Sequence, residues 1–529
     1  MFAFIPLLLS LFVVIVVTGI LSSLVQFWHL PKSIDIPRDP SQSSEFLQSS
    51  VSRTLSYLTS WTSFRVSLAN GYEEYSKRGK AFMVPLASLA PQVIVPPEHI
   101  VWLLNQPKTI VSQREALFED TAFKYLFPSF DFESDAASGM ARRQLAHNQL
   151  GRLQKDIFEE LRSRVDENMG VEEGVWRTIN LYSAFDDIFS KTGYRIYFGA
   201  ELISDKRFIA NLRRLSKWTT LGVVLIGQLT PLILRKPLGS ILRIPISYYT
   251  RKFMQSWLPL LLDCQKNMRS EKFEDAIQKS NAPTMTTWFA EIISKPIPGG
   301  ESMESALLNV ITLIIGSSDV KVAACLGLFI NTLTIPAAVS YLPELRSEAC
   351  RTLSTDSAYN TSEPFAEMPL MEAFMRESMR WSPLKANMPS RIVVAEQGVM
   401  LPDGTHVPKN TVLASPSECV SRDERFYDEP HVFNPYRFLE RNPIDGGWVL
   451  KPGCHVTSAS DTFLFFGLGK SVCPGRFFVA RLMMTFMAYV VTHYEFEVVG
   501  EAGGGHHVGY VNVPQVLMKA RFRRRMQTE

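Results

Sequence analysis

Six cysteines in 529 residues, none in C-x-x-C spacing, are too few and too scattered to build a zinc ribbon or a disulfide framework. Cys264, Cys325, Cys350, Cys419, Cys454 and Cys473 fit a reducing compartment instead. The net charge is only +3, and no basic run is interleaved with aromatics, so nucleic acid is not expected as a partner. No repeat, low-complexity tract or long linker divides the chain after residue 50; one large domain is expected, although length alone would allow two or three. Flavin and nicotinamide fingerprints are also missing, so any electrons this chain uses come from another protein.

Charge is absent from the first 28 residues as well. Residues 2–28 are apolar and about long enough to cross a hydrocarbon core as one helix. A cleaved signal peptide has a basic start and a shorter apolar core, and no basic residue precedes this run. Residues 1–28 are therefore expected to be a transmembrane anchor in a single-pass chain. Lys32 and Arg38 follow it, which puts the body on the cytosolic side. Pro31, Pro37 and Pro40 suit a stiff hinge over residues 29–50, leaving 51–529 as the catalytic domain.

What is present centres on Cys473, in Phe466-Gly467-Leu468-Gly469-Lys470-Ser471-Val472-Cys473-Pro474-Gly475-Arg476. An apolar helical segment begins at about residue 477, so unpaired N–H groups and the positive dipole end face the sulfur and favour thiolate. Gly469 and Gly475 are expected to let the backbone close around it. The alternative is a buried structural cysteine, the usual fate of a free thiol. The pattern F-x-x-G-x-x-x-C-x-G resembles the heme-ligand loop of the cytochrome P450 family, with Phe466, Gly469 and Gly475 shaping the cofactor seat. The resemblance implies heme b (iron protoporphyrin IX) with Cys473 as its axial thiolate and metal ligand.

Two further motifs support it. Glu377 and Arg380 stand at i, i+3 on one face of a predicted helix over 371–381, and Arg437 in Pro435-Tyr436-Arg437-Phe438 offers a second guanidinium. In the family these three form a structural lock behind the heme. Arg391, in Met388-Pro389-Ser390-Arg391, resembles the arginine that binds a heme propionate, and Arg142 resembles a second contact from an early helix. For both, a surface arginine is the alternative, and Arg143 competes with Arg142.

The long apolar helix expected over 306–334 departs from the family. Where small-Gly-x-acid-Thr-Thr is usual, this chain has Gly316-Ser317-Ser318-Asp319-Val320-Lys321. Proton delivery needs a positioned hydroxyl, carboxyl or water, and valine offers none. Asp319 and Ser318 are the leading catalytic candidates; Ser317 or a substrate hydroxyl would also serve, unless the register is misplaced or the reaction needs no such proton.

Helical spacing also recurs over 149–167, 181–198 and 478–492, and short strands are expected within 399–412, around Asp403-Gly404, and within 495–513. The expected fold is mainly α with small β-sheets, a cytochrome P450 fold behind a transmembrane helix. A second apolar stretch, 221–234, followed by Arg235, Lys236 and Arg243, reads either as a core helix or as a segment dipping into the membrane with its basic residues at the headgroups.

The resemblance implies a monooxygenase inserting oxygen from O2 into an apolar small molecule, with electrons from NADPH-cytochrome P450 reductase, on the endoplasmic reticulum with its catalytic domain in the cytosol. The segment Tyr72-Glu73-Glu74-Tyr75 and the Leu401-Pro402-Asp403-Gly404 hairpin look like fungal enzymes of secondary metabolism, which act on terpenoids, alkaloids and polyketides. The alternatives are an O2-independent isomerase or dehydratase on the same scaffold, and a non-catalytic heme protein.

Overall fold

The computed structural model describes residues 64–526 except 85–91, 131–133, 231, 268–283, 298–299, 501–505 and 514. The expected anchor over 1–28, the hinge over 29–50 and the Gly503–Gly505 triplet lie outside the described residues.

Eight helices carry the site: α1 (Asp135–Gln144), α2 (Gln154–Met169), α3 (Leu181–Ser204), α4 (Lys206–Gly222), α5 (Leu232–Asn267), α6 (Met303–Thr334), α7 (Pro369–Trp381) and α8 (Arg476–His493). Their starts are written in the sequence. Ser134, Asn180, Asp205 and Ser302 each accept a backbone N–H of the first turn, satisfying donors that the helix cannot. The spacing-based expectations hold with local changes. The 149–167 stretch begins as a 3-10 turn, His147–Leu153, before α2. The 181–198 stretch runs on to Ser204 across a kink at Gly199, whose φ of 81° suits glycine.

Helices α3, α6 and α8 meet in an aromatic cluster. The Phe486 ring lies 5.0 Å from both Phe185 and Phe189, and Phe329 lies 5.3 Å from Phe185. All four rings are buried, and each contributes roughly 1.5–3 kcal/mol of hydrophobic stabilisation. Asp166 on α2 ties the sheet side to this core by accepting from Tyr489, Tyr494 and Arg524 at 2.8–2.9 Å.

The sheets are small. Strands β1 (Phe82–Val84), β2 (Gln92–Ile94), β3 (Val111–Ser112), β5 (Ser390–Val393) and β6 (Val412–Ala414) form one five-stranded sheet in the order β1-β2-β6-β5-β3, with only β2 and β6 parallel. Strand β4 (Trp176–Asn180) pairs with β8 (Lys519–Arg524), which also pairs with β7 (Tyr494–Val499). The 399–412 stretch gives the two short strands Val399–Met400 and His406–Val407.

Among the described residues one helix, α6, is long and apolar enough to cross a membrane by length and composition alone. It is instead the central core helix, with 56% of its most apolar window buried inside the protein.

Candidate heme-thiolate site

The strand β5 and the loop into α8 set the two sides of the site. Cys473 N–H donates to Phe466 O at 2.8 Å, closing a loop whose Gly467 and Gly469 take φ of 78° and 68°. Gly475 behaves differently from expectation. Its φ of −87° is ordinary, so its backbone needs no glycine, and a Cβ there would stand in plain contact with the Cys473 sulfur at 4.0 Å. The positive φ angles fall on Gly469, named from the sequence, and on Gly467, which the sequence reading passed over.

The amides of Gly475 and Arg476, at the start of α8, donate to the Cys473 sulfur and pull its pKa down, as does the Arg476 charge. Burial outweighs them and leaves the thiol above its ordinary value. A cation at the sulfur reverses that balance, because a metal-bound thiol is deprotonated outright.

Behind this loop, the lock predicted from sequence is assembled. Arg380 forks onto both Glu377 oxygens at 2.7 and 2.8 Å, Arg437 Nε donates to Glu377 at 3.2 Å, and the Asn434 amide adds a bond at 2.8 Å. Arg380 also donates to Ser421 O and Pro430 O, and Arg437 to Val432 O at 2.8 Å. Glu377 and Arg380 are fully buried, so these bonds offset a large desolvation cost. Sequence reading missed their neighbour Arg376, whose buried guanidinium stacks 3.8 Å from the Phe463 ring and donates to Ser458 O at 2.9 Å. Its only signal was an arginine within the apolar face of α7.

Arg391 is buried on β5, paired in register with Leu413, and donates to Ser390 O at 2.8 Å. Burial lowers its pKa to about 10, because desolvation disfavours the charged guanidinium. Arg142 sits exposed in the last turn of α1 beside Arg143, which folds back over Gly139.

On the opposite side, α6 presents a half-buried line of Leu313, Gly316, Ser317, Val320, Ala323 and Gly327 on a helix otherwise packed on both flanks. Val320 is 56% exposed on that line, which supports the register read from sequence. The line continues into a cavity of about 370 Å³ bounded by Ala323, Gly327, Ser378, Leu384 and Phe465. The three polar candidates go different ways. Ser318 is buried on the far flank and donates to Ile314 O at 2.9 Å, so the structure does not bring it to the exposed line. Asp319 accepts a hydrogen bond from Thr220 of α4, and burial raises its pKa. Ser317 stays at the edge of the line.

Lys321, at the second of the two threonine positions, is buried. Its Nζ donates to no hydrogen-bond partner and lies over the Tyr197 and Tyr194 rings at 5.2 and 5.8 Å, in the notch left by Gly193. Burial lowers its pKa to about 8.

Beyond Gly222, α4 passes through a π-helical turn, Val223–Leu229, toward α5. A Cβ at Gly227 would fall 2.6 Å from Asp120 O, so glycine permits the close crossing of the short helix Gln113–Thr121. Of the two readings of this stretch, Arg235 follows the core one: it is fully buried, donating to Thr230 O, Gly227 O and Glu119 O at 2.9 Å. Lys236 and Arg243 are exposed. Asp120 accepts from Lys385 and Tyr510, tying the same region to the hairpin that contains Val511–Val513.

These residues fit iron protoporphyrin: a sulfur held by two amides, a buried arginine on β5, and small side chains along α6 that admit a flat macrocycle. Comparison with known proteins agrees. The family model described as "Cytochrome P450" matches residues 68–503. The chain is 28% identical to cytochrome P450 monooxygenase polB of Polytolypa hystricis, over 87% of this chain and 89% of that protein. It is also 28% identical to cytochrome P450 monooxygenase lnaC of Aspergillus flavus, over 86% of each, and 26% identical to fsoD of Humicola fuscoatra, over 90% and 91%. The chain belongs to the cytochrome P450 family and is an oxidoreductase of its monooxygenase class.

Proposed function

We propose that this chain is a membrane-anchored heme-thiolate monooxygenase of secondary-metabolite biosynthesis that oxidises an apolar terpenoid, alkaloid or polyketide. The observation that carries the reading is the Cys473 sulfur, held by the Gly475 and Arg476 amides at the start of α8 within the matched span. Heme, when bound, supplies the oxidising chemistry with O2 and electrons from NADPH-cytochrome P450 reductase. The protein's part is placement. Cys473 ligates iron, Arg391 and Arg142 pair with the propionates, and the Glu377-Arg380-Arg437 lock holds the loop that presents the sulfur. Asp319, neutral more readily than an exposed carboxyl, holds a proton beside the roof helix α4.

The roof supports an apolar substrate and a lipid neighbour. Leu221, Val224, Leu225, Ile241, Ile244 and Tyr248 are exposed on the α4–α5 face, with Lys236 and Arg243 among them. With residues 1–28 as anchor, 29–50 as hinge and 51–529 as catalytic domain, the enzyme sits on the cytosolic face of the endoplasmic reticulum.

The test is to incubate membranes carrying the protein and the reductase with extracts of the producing organism. A new oxygenated metabolite that requires NADPH and O2 is expected. An isomerase is favoured by one observation, the valine at 320, and product formed at full rate without O2 or reductase would establish it instead.

A further inference from the structure

Val320 leaves the exposed line of α6 without a hydroxyl at its centre, and the geometry offers one substitute. Ser317 lies one turn earlier on the same line, and its Oγ stands 3.3 Å from the Tyr197 hydroxyl. Ser317 already donates to Ile314 O at 2.9 Å, so the phenol is the donor between the two. Tyr197 is buried on α3, with its ring 6.1 Å from Phe478 of α8. Its pKa is pushed up to about 12, first by burial, against which the Ser317 bond acts, and further by Cys473, so the phenol stays protonated and senses the sulfur. Ser318 has a phenol of its own in Tyr194, but both lie in the core, away from the open line. Ser318 is turned into the core, and Asp319 faces Thr220 on α4.

We propose that Ser317, resupplied by the phenol of Tyr197, is the hydroxyl that passes protons to the open face of α6 beside Val320. The inference rests on the monooxygenase reading and names the proton path of that site. The balance is simple. The Ser317 O–H breaks as its proton goes to the oxygen being reduced, the Tyr197 proton moves to Ser317 Oγ, and water reprotonates the phenol. The chain is neither oxidised nor reduced, because the reductase supplies the electrons. The Lys321 amine over the Tyr197 ring places positive charge where a transient phenolate needs it.

The test compares wild type, Ser317→Ala, Tyr197→Phe and the double variant Ser317→Ala/Val320→Thr, each as heme-loaded full chain with reductase. Two readouts are taken: hydrogen peroxide released per NADPH consumed, in H2O and D2O, and the infrared C–O stretch of the reduced carbonyl complex, which reports hydrogen-bond donors in the cavity. Forming that complex with thiolate-type absorption shows that a variant is folded. Ser317→Ala is expected to shift the C–O stretch and raise the peroxide share several-fold; Tyr197→Phe does the same less strongly, and Val320→Thr restores coupling. If Tyr197→Phe fails to load heme, Ser317→Ala alone decides. An unchanged stretch, or a shifted stretch with unchanged peroxide share and isotope effect, overturns the proposal. Should wild type consume no NADPH with reductase and O2, the monooxygenase reading fails by itself. The C–O stretch then still decides whether Ser317 donates at that open face.

Discussion

The two sides of the site are built on opposite terms. On the sulfur side nearly every polar group is answered: Glu377 accepts from two arginines and an amide, and Arg380 and Arg437 spend their remaining donors on backbone oxygens. On the α6 side the polar groups are mismatched. Val320 is open and apolar, Lys321 is buried with an unanswered amine, and Asp319 is held only by hydroxyls of α4. The first arrangement resists change, since removing any partner strands a buried charge. The second accepts change cheaply, which is where a scaffold adapts to a particular substrate.

Replacing Cys473 with serine breaks the saturated side most completely. The expected result is loss of the strongly red-shifted Soret band of the reduced carbonyl complex, and a Cys473→Ser protein that keeps this band would place the thiolate elsewhere. Next in size is Glu377→Ala, which leaves two guanidinium groups facing each other in the core. It should cost about 3–5 kcal/mol and abolish heme loading, as followed by thermal melting and heme content. Normal heme content with lost turnover would mean that Glu377 acts in chemistry and that the two sides are less different than the bonds imply.

The mismatched side makes the opposite prediction. Lys321→Met should stabilise the folded protein at neutral pH, by on the order of 3 kcal/mol for a depression of this kind. The sign follows from linkage. Below about pH 8 the amine is protonated folded and unfolded, and the burial penalty applies in full. Between about 8 and the ordinary 10.5 the unfolded chain binds more protons, so wild-type stability rises with pH through that window. Denaturant titrations at several pH values should show the rise in wild type and its absence in the methionine variant. A Lys321→Met protein less stable at pH 7 would reveal a partner for the amine. The smallest effect is expected from Thr220→Ala, which frees Asp319 from the roof at a cost of about 1 kcal/mol. Melting curves check it, and a loss as large as that of Glu377→Ala would make this contact part of the lock.

The saturated side was the legible one. Glu377, Arg380, Arg437 and Cys473 are recognisable because their spacing along a helix and a short loop already implies which atoms meet. The helices likewise followed from apolar periodicity and capping residues, both local properties of the chain. Other features depended on distant neighbours. Gly475 looked like a turn glycine, but the positive φ angles fall on Gly467 and Gly469; Arg235 read as either a core or a headgroup residue, and Glu119 with two carbonyls from 227–230 encloses it. Ser317 and Ser318 are adjacent and chemically identical in sequence. A 100° step around α6 sends one toward Tyr197 at the edge of the open line and the other into the core, and only the packing of α3 against α6 decides which is which. The sequence by itself determined the family, the cysteine loop and the lock, because these rest on short-range geometry. The tertiary structure alone decided which side chains from separate helices share one small space, Ser317 with Tyr197 and Asp319 with Thr220, because such contacts depend on helix packing and not on local spacing.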